Sequence, residues 1–249
     1  MNLPAPFRHE GEHLAIEFRG GAALFTTRRG GVSRGPYTSL NLGTATGDDA
    51  AVVEANRELL AKVVDVPRER FVQGRQVHEA TVIRHRAPPQ AGERRRATAD
   101  GQATDQTRVA PVVLTADCLP VALVAPEAVA MLHCGWRGLA AGIVAEGVAA
   151  LRELGAGGSV AAAIGPGAGR CCYEVGDEVR AAFGDLGPEV REGRNLDLTL
   201  VARRRLESAG VAEVHDAELC TMCSDPTLFF SHRRDGALTG RQAGVAWRS

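Results

Sequence analysis

VVLTADCLPVALVAPEAVAMLHCGWRG, residues 112–138, decides how the rest of the chain is read. It holds three short apolar runs, at 112–115, 121–124 and 129–132. Each is too short for a helix and suits a buried strand. Ala116-Asp117-Cys118 interrupts the first two. Pro120 follows closely, so the backbone should leave the sheet there. The third run ends at His133, followed by Cys134-Gly135-Trp136-Arg137-Gly138. Residues 139–154 then read as a helix, with Leu139, Ile143, Val148 and Leu151 on a buried face.

Downstream, 160–164 reads as a strand ended by Gly165-Pro166-Gly167. Residues 175–183 and 198–208 look helical, and 229–247 reads as strands around an Arg233-Arg234-Asp235-Gly236 turn. Upstream, 13–27 reads as paired strands, because Leu14, Ile16 and Phe18 alternate with Ala15 and Glu17 before the turn at Gly20-Gly21. Residues 29–41 are loop-like. Residues 48–64 read as a helix capped by Asp48 or Asp49. Residues 71–83 look extended, with His78 inside the run. Arg94-Arg95-Arg96 lies in a proline-containing stretch and reads as a solvated loop. Strands and helices mix without strict alternation, repeat or linker. The expected class is α+β, with mixed β-sheets layered with helices, in a single compact domain over 1–249.

A hydrophobic content of 45% is ample for a core. Lys plus Arg, 29, nearly balances Asp plus Glu, 30, so nothing global draws the protein to nucleic acid or an anionic membrane. The 4% aromatic content argues against a base-stacking platform. No stretch approaches the roughly 20 apolar residues that span a bilayer. Residues 1–10 hold prolines and charges and no apolar signal core, so a cytoplasmic location is expected. In that setting the six cysteines read as thiols or metal ligands rather than disulfides.

Among chemistry-bearing residues, His78, Cys118 and His133 stand out. Each sits at the end of, or in a break between, short apolar strands, where side chains backed by a sheet can converge. Imidazole and thiolate are good zinc ligands, and three protein ligands leave a fourth position open, which is the catalytic arrangement. Spacing alone leaves the bland reading standing, in which a buried His or Cys is a core residue. Cys220-Thr221-Met222-Cys223 is a CxxC without a second CxxC at zinc-finger spacing. The adjacent Cys171-Cys172 pair is not expected to complete a four-cysteine site with it. Gly31-Val32-Ser33-Arg34-Gly35 fits GxSxG, yet Pro36 argues against the helix a nucleophile elbow needs. The zinc-deaminase signature HxE with a later PCxxC is missing.

Gln76-Val77-His78, Thr115-Ala116-Asp117-Cys118-Leu119-Pro120 and His133-Cys134-Gly135-Trp136-Arg137-Gly138 resemble three signature motifs of one family. It is the laccase-domain, or multicopper polyphenol oxidase, family, whose members are read as purine nucleoside phosphorylases with adenosine deaminase activity. Further matches are Thr27-Arg28-Arg29-Gly30-Gly31-Val32-Ser33, Ser39-Leu40-Asn41-Leu42, Gly47-Asp48, Tyr173-Glu174-Val175-Gly176 and Phe230-Ser231-His232-Arg233-Arg234. They keep the family's order from about 26 to 244. The chain departs from the family at Cys134, where Ala is common, and around Gly167 and Ala168, where a Cys is frequent. Residues 100–105 match only loosely.

The resemblance implies zinc on His78, Cys118 and His133. It implies purine nucleosides and phosphate as substrates: adenosine, inosine and methylthioadenosine, with adenosine also deaminated. Arg28, Arg137 and Arg233 are the candidate phosphate holders, since guanidinium grips phosphate through paired bonds. Asp117 is the candidate to orient a ligand or move a proton. Asn41 and Gln76 are the candidates to read base or ribose. Each has a structural alternative: solubility for the arginines, a turn cap for Asp117, loop satisfaction for Asn41, packing for Trp136. A copper oxidase fits poorly, because seven histidines with no His-x-His pair do not make a laccase cluster. Cu(II) can nonetheless outcompete zinc in vitro. Two rivals remain at this stage. One is an amidase or hydrolase with Cys118 as nucleophile and His78 or His133 as base, compatible with cell-wall precursor editing. The other is a non-catalytic purine-binding protein. Oligomeric state is not legible.

Overall fold

Val121 and Leu123 face one side of the strand Leu119–Val124, Ala122 and Val124 face the other, and both sides are buried in the computed structural model of the chain. A strand covered on both faces is continuously apolar, which is why this run reads as it does. The structure describes residues 2–89 and 97–248. The Arg94-Arg95-Arg96 run lies outside them.

In chain order the strands begin with β1 (Arg8–Glu10), β2 (His13–Phe18), β3 (Gly21–Phe25), β4 (Phe71–Val72) and β5 (Val82–His85). The central ones are β6 (Gly101–Thr104), β7 (Ala110–Thr115), β8 (Leu119–Val124), β9 (Val129–Cys134) and β10 (Ala161–Ile164). The last are β11 (Arg191–Glu192), β12 (Asn195–Leu196), β13 (Glu213–Asp216) and β14 (Gln242–Trp247). The helices are α1 (Ala50–Val64), α2 (Trp136–Ala141), α3 (Ile143–Glu153), α4 (Asp177–Ala181), α5 (Leu198–Ser208) and α6 (His232–Asp235).

One six-stranded sheet runs β1-β2-β3-β14-β7-β4 and a second runs β13-β10-β8-β9-β6-β5, with β11 and β12 forming a small ribbon. Both large sheets mix parallel and antiparallel pairs. Phe25, Ile16, Val113 and Ala246 of the first meet Ala122, Val124, Met131 and Ala163 of the second. On the outer face of the second sheet, Val121, Leu123 and Leu132 pack against Ile143, Val144 and Leu151 of α3 and Val201 and Leu206 of α5. Leu60 and Val64 of α1 cover the first sheet through Leu24, Val112 and Val245. The result is a mixed α+β domain layered helix, sheet, sheet, helix. Gly244 sits where the sheets press together: a Cβ there would lie 2.7 Å from Pro120 Cβ and 2.8 Å from Met131 Sδ.

β7 belongs to the first sheet and β8 to the second, so Ala116-Asp117-Cys118 crosses between sheets at one end of the sandwich. β9 pairs with β8, with His133 opposite Pro120.

Several local expectations change. The helix expected over 139–154 is two, broken at Gly142, whose φ of 92° ends α2. The segment expected to be helical at 175–183 shortens to α4. Asp49 rather than Asp48 caps α1, accepting from the amides of Ala51 and Val52. His78 lies in the loop between β4 and β5, not in a strand. Only Gln242–Trp247 of the segment 229–247 is a strand. The Phe230 amide and carbonyl bond the Gln242 side chain at 2.8 and 3.1 Å, and Arg234 takes the Phe229 carbonyl at 2.8 Å. Side chains thereby supply what a ladder would, and Ser231 caps α6 where a hairpin turn was expected.

Candidate metal centre

The ligand atoms of His78, Cys118 and His133 all lie within 4.8 Å of one another. His133 comes from the end of β9, Cys118 from the crossover between the sheets, and His78 from the loop after β4. The two imidazoles meet edge to face, with centroids 4.8 Å apart. His133 is buried, Cys118 half-buried and His78 exposed, so the group opens to solvent on the His78 side.

Asp100, which the motifs did not single out, organises this group. Its carboxylate is fully buried. One oxygen accepts from His133 Nδ1 at 2.7 Å and from the His78 amide at 2.9 Å. The other accepts from the amides of Val77 and Glu79 at 3.0 and 2.9 Å. These bonds hold His78 in a left-handed conformation, with φ of 65°, that a non-glycine residue adopts only when its surroundings impose it. With Nδ1 bound to a carboxylate, His133 has Nε2 left to offer an ion, the usual support of a metal-binding histidine. Burial pushes the Asp100 carboxyl up, but the His133 bond and the two amides outweigh it and bring it down to about 2.

The donor set fits a metal ion. Burial raises the Cys118 thiol, and His133 and His78 more than reverse this, so it lies below the ordinary thiol range. Burial lowers His133, and Cys118 and Asp100 reverse that as well, leaving it raised. Gly135 leaves the ligands room: a Cβ there would lie 3.0 Å from Cys118 Sγ and 3.1 Å from His78 Cδ2. Cys134 takes no part. It is fully buried, and burial with the charges of Cys118 and Asp100 raises its thiol, so it packs as a small apolar residue.

The remaining candidates divide. Asp117 has φ of 92° and is buried. It accepts from the Thr221 hydroxyl at 2.7 Å and the Arg233 amide at 2.8 Å, so it fastens two later loops beside Cys118. Arg233 lies over Tyr173 at 5.0 Å and donates to the Glu174 carbonyl at 3.0 Å. Tyr173 is raised by burial and then by the Cys118 charge. Arg241 is lowered by burial and drawn the other way by Asp117 and Cys118, so it too stands near the centre. Arg137 is exposed on the first turn of α2, over Trp136 at 4.4 Å.

Arg28, Asn41 and Gln76 have their polar groups committed to the chain itself. Arg28 lies over Phe230 and donates to the carbonyls of Thr38, Pro226 and Pro36. Asn41 is fully buried; its amide reaches Thr46 and Asp48, and its oxygen accepts from Gly43 and Arg241. Gln76 both donates to and accepts from the Leu114 backbone at 2.8 Å, extending the edge of β7. The signal that could have found Asp100 is weak: a lone acid before a Gly that opens a strand.

Residues 22–249 match the family described as multi-copper polyphenol oxidoreductase laccase. Purine nucleoside phosphorylase YlmD of Geobacillus stearothermophilus is 40% identical over 254 residues, covering 94% of this chain and 92% of that protein. Purine nucleoside phosphorylase YfiH of Escherichia coli (strain K12) is 37% identical over 238 residues, covering 92% and 94%. The crystal structure of the hypothetical protein YfiH of Bacillus licheniformis has a TM-score of 0.88 at 32% identity, covering 99% of this chain and 100% of that one. The likeness therefore extends over nearly the whole fold.

Proposed function

Because the chain belongs to the multi-copper polyphenol oxidoreductase laccase family, whose relatives carry the name purine nucleoside phosphorylase, we propose that it is a zinc-dependent purine nucleoside phosphorylase. Its substrates in this reading are phosphate with adenosine, inosine or methylthioadenosine, and adenosine is also deaminated. The observation that carries the proposal is the His78, Cys118 and His133 group with Asp100 behind it. Two imidazoles and a thiolate favour zinc over a laccase copper cluster, which needs many more histidines.

Zinc, if held by these three side chains, would supply Lewis acidity. The chain does the rest. Asp100 fixes the tautomer and direction of His133. Asp117 positions the Arg233 backbone and the Thr221 turn beside Cys118. Arg137 and Arg233, each laid on an aromatic ring, are the proposed phosphate holders. In phosphorolysis a phosphate oxygen bonds ribose C1′ as the bond to the base breaks, and the base leaves with the bonding pair and takes up a proton. Arg28, Asn41 and Gln76 serve this reading by shaping the loops around the site.

One observation favours a second reading. Cys118, His133 and Asp100 also form a nucleophile, base and orienting acid, the arrangement of a cysteine hydrolase. Mass spectrometry of products separates the two. Zinc-loaded and chelator-stripped protein is incubated with adenosine, with and without phosphate. Adenine with ribose 1-phosphate only when phosphate is present, or inosine only when zinc is present, is the expected result. No turnover with metal content confirmed would sink the purine reading and leave the hydrolase.

A further inference from the structure

We propose that Cys171, Cys172, Cys220 and Cys223 form a second, structural zinc site, separate from the His78 centre and independent of the function assigned to it. The four sulfurs lie within 4.8 Å of one another. Cys171 and Cys223 approach to 3.2 Å, Cys172 and Cys220 to 3.4 Å, and Cys171 and Cys172 to 3.6 Å. A tetrahedral ion with zinc–sulfur bonds of about 2.3 Å sets its sulfurs roughly 3.8 Å apart. The observed spacings are close to that edge and well beyond the roughly 2.05 Å of a disulfide.

The backbone explains how distant and adjacent cysteines share one point. β10 and β13 run parallel as neighbours, so the loops after them leave the sheet side by side. Gly167 and Cys220 continue the pairing as an isolated bridge. After β10 the chain turns tightly, with the amides of Cys172 and Tyr173 both on the Gly169 carbonyl. That turn aims two consecutive sulfurs at the same spot. After β13, Cys220-Thr221-Met222-Cys223 folds into a turn closed by the Ser224 amide on the Cys220 carbonyl.

Backbone hydrogen bonding reaches one of the four sulfurs, that of Cys220: the Gly169 amide donates to its Sγ at 3.3 Å. Gly169 itself lies against the cluster: a Cβ there would be 3.4 Å from Cys171 Sγ and 3.5 Å from Cys220 Sγ. An amide donor to the first sulfur of a CxxC turn suits a thiolate bound to a cation better than a neutral thiol. Four thiolates in tetrahedral array select a soft divalent ion, zinc before any oxygen-seeking cation. Cys171 and Cys223 are exposed and Cys172 and Cys220 half-buried, so an ion has a path in.

The site would brace the catalytic wall. Thr221, inside the CxxC turn, donates its hydroxyl to Asp117 next to Cys118. Tyr173, next to Cys172, carries the Arg233 guanidinium, and the Arg233 amide binds the other Asp117 oxygen. Arg234 holds the Thr221 carbonyl at 2.8 Å. One ion thus ties the Cys171-Cys172 loop, whose neighbour Tyr173 carries Arg233, to the Thr221 turn that Asp117 grips.

The test uses the full chain, purified with zinc under reducing conditions, as wild type, Cys118→Ser and the double variant Cys220→Ser/Cys223→Ser. Elemental analysis should find one zinc per chain retained in Cys118→Ser and lost from the tetracysteine position in the double variant. Cobalt in Cys118→Ser should give intense sulfur-to-cobalt charge-transfer absorption with tetrahedral d–d bands. If the double variant does not fold, alkylation of native Cys118→Ser decides. Cys171, Cys172, Cys220 and Cys223 should resist iodoacetamide with zinc bound and react after chelation. Ready alkylation in the presence of zinc, no zinc in Cys118→Ser, or an intact mass lower by four hydrogens from two disulfides would overturn the proposal. A wild type holding zinc only at the cysteine cluster would count against the His78 centre alone.

Discussion

His133 Nδ1 and a carboxylate oxygen of Asp100 are 2.7 Å apart, and both groups are buried. The same carboxylate gathers three consecutive amides from the loop that carries His78. One acid therefore aims both histidines. In Asp100→Asn the amide oxygen can still accept from His133, but the NH2 group must face backbone N–H donors. Zinc affinity is expected to fall about 10–100-fold. A chelator competition titration measures it, with circular dichroism confirming the fold. An unchanged affinity would reduce Asp100 to a loop-building role.

Gly135→Ala tests how closely the ligands are seated. The added methyl lands 3.0 Å from Cys118 Sγ and 3.1 Å from His78 Cδ2, inside ordinary contact. The His78 side is open, so the ligands can yield while the sandwich core stays as it is. Overpacking of this kind costs about 1–3 kcal/mol, which here appears as a zinc affinity weaker by roughly 10–100-fold. The thermal midpoint of the metal-free protein should barely move. A large fall in that midpoint with zinc affinity intact would show that the backbone, not the ligand set, takes the strain.

Asn41→Ala separates a scaffold role from a substrate role. The side chain is fully buried, and its oxygen is the acceptor for the Gly43 and Arg241 amides. Leaving those donors without a partner is expected to cost about 1–3 kcal/mol of stability. Urea denaturation reads that loss, and KM for adenosine should stay near the wild-type value at a temperature where the variant is folded. A raised KM with unchanged stability would place Asn41 at the nucleoside.

These outcomes bear on what a sequence can disclose. The strands β8 and β9 were legible because burial on both faces leaves unbroken apolar runs. The grouping of His78, Cys118 and His133 was legible only through motif resemblance. The support behind them was not: Asp100 acts on residues 21–33 positions away, which no local period encodes. The four-cysteine cluster was hidden for a related reason. Its halves meet because β10 and β13 pair in parallel, a long-range contact, and because a tight turn lets adjacent cysteines point together. The stretch before β14 misled in the opposite direction. Phe229 and Phe230 look like strand residues, but Arg234 and Gln242 satisfy their backbone groups from the side.

His13 supplies a stability prediction remote from any metal. It is buried beside the Thr27 amide, which donates to its Nδ1 at 3.3 Å. Burial is the main cause that lowers its imidazole from 6.5 to about 4, partly opposed by Glu12. The fold therefore favours the neutral ring. Above pH 6.5 both folded and unfolded chains hold it neutral, and its contribution is fully present. As pH falls from 6.5 toward 4 the unfolded chain takes up the proton first, and stability is lost, to a total of about 3 kcal/mol. Below about 4 the folded ring protonates too and the loss levels off. Carboxylates titrate in the lower part of this window, so the comparison is with His13→Asn, which keeps an acceptor for Thr27 but cannot protonate. Between pH 6.5 and 4.5 the wild type should lose stability more steeply than the variant, by about 1.4 kcal/mol per pH unit. Parallel urea-denaturation profiles for the two proteins would show that His13 can ionise within the fold, against the burial and the Thr27 bond that hold it neutral.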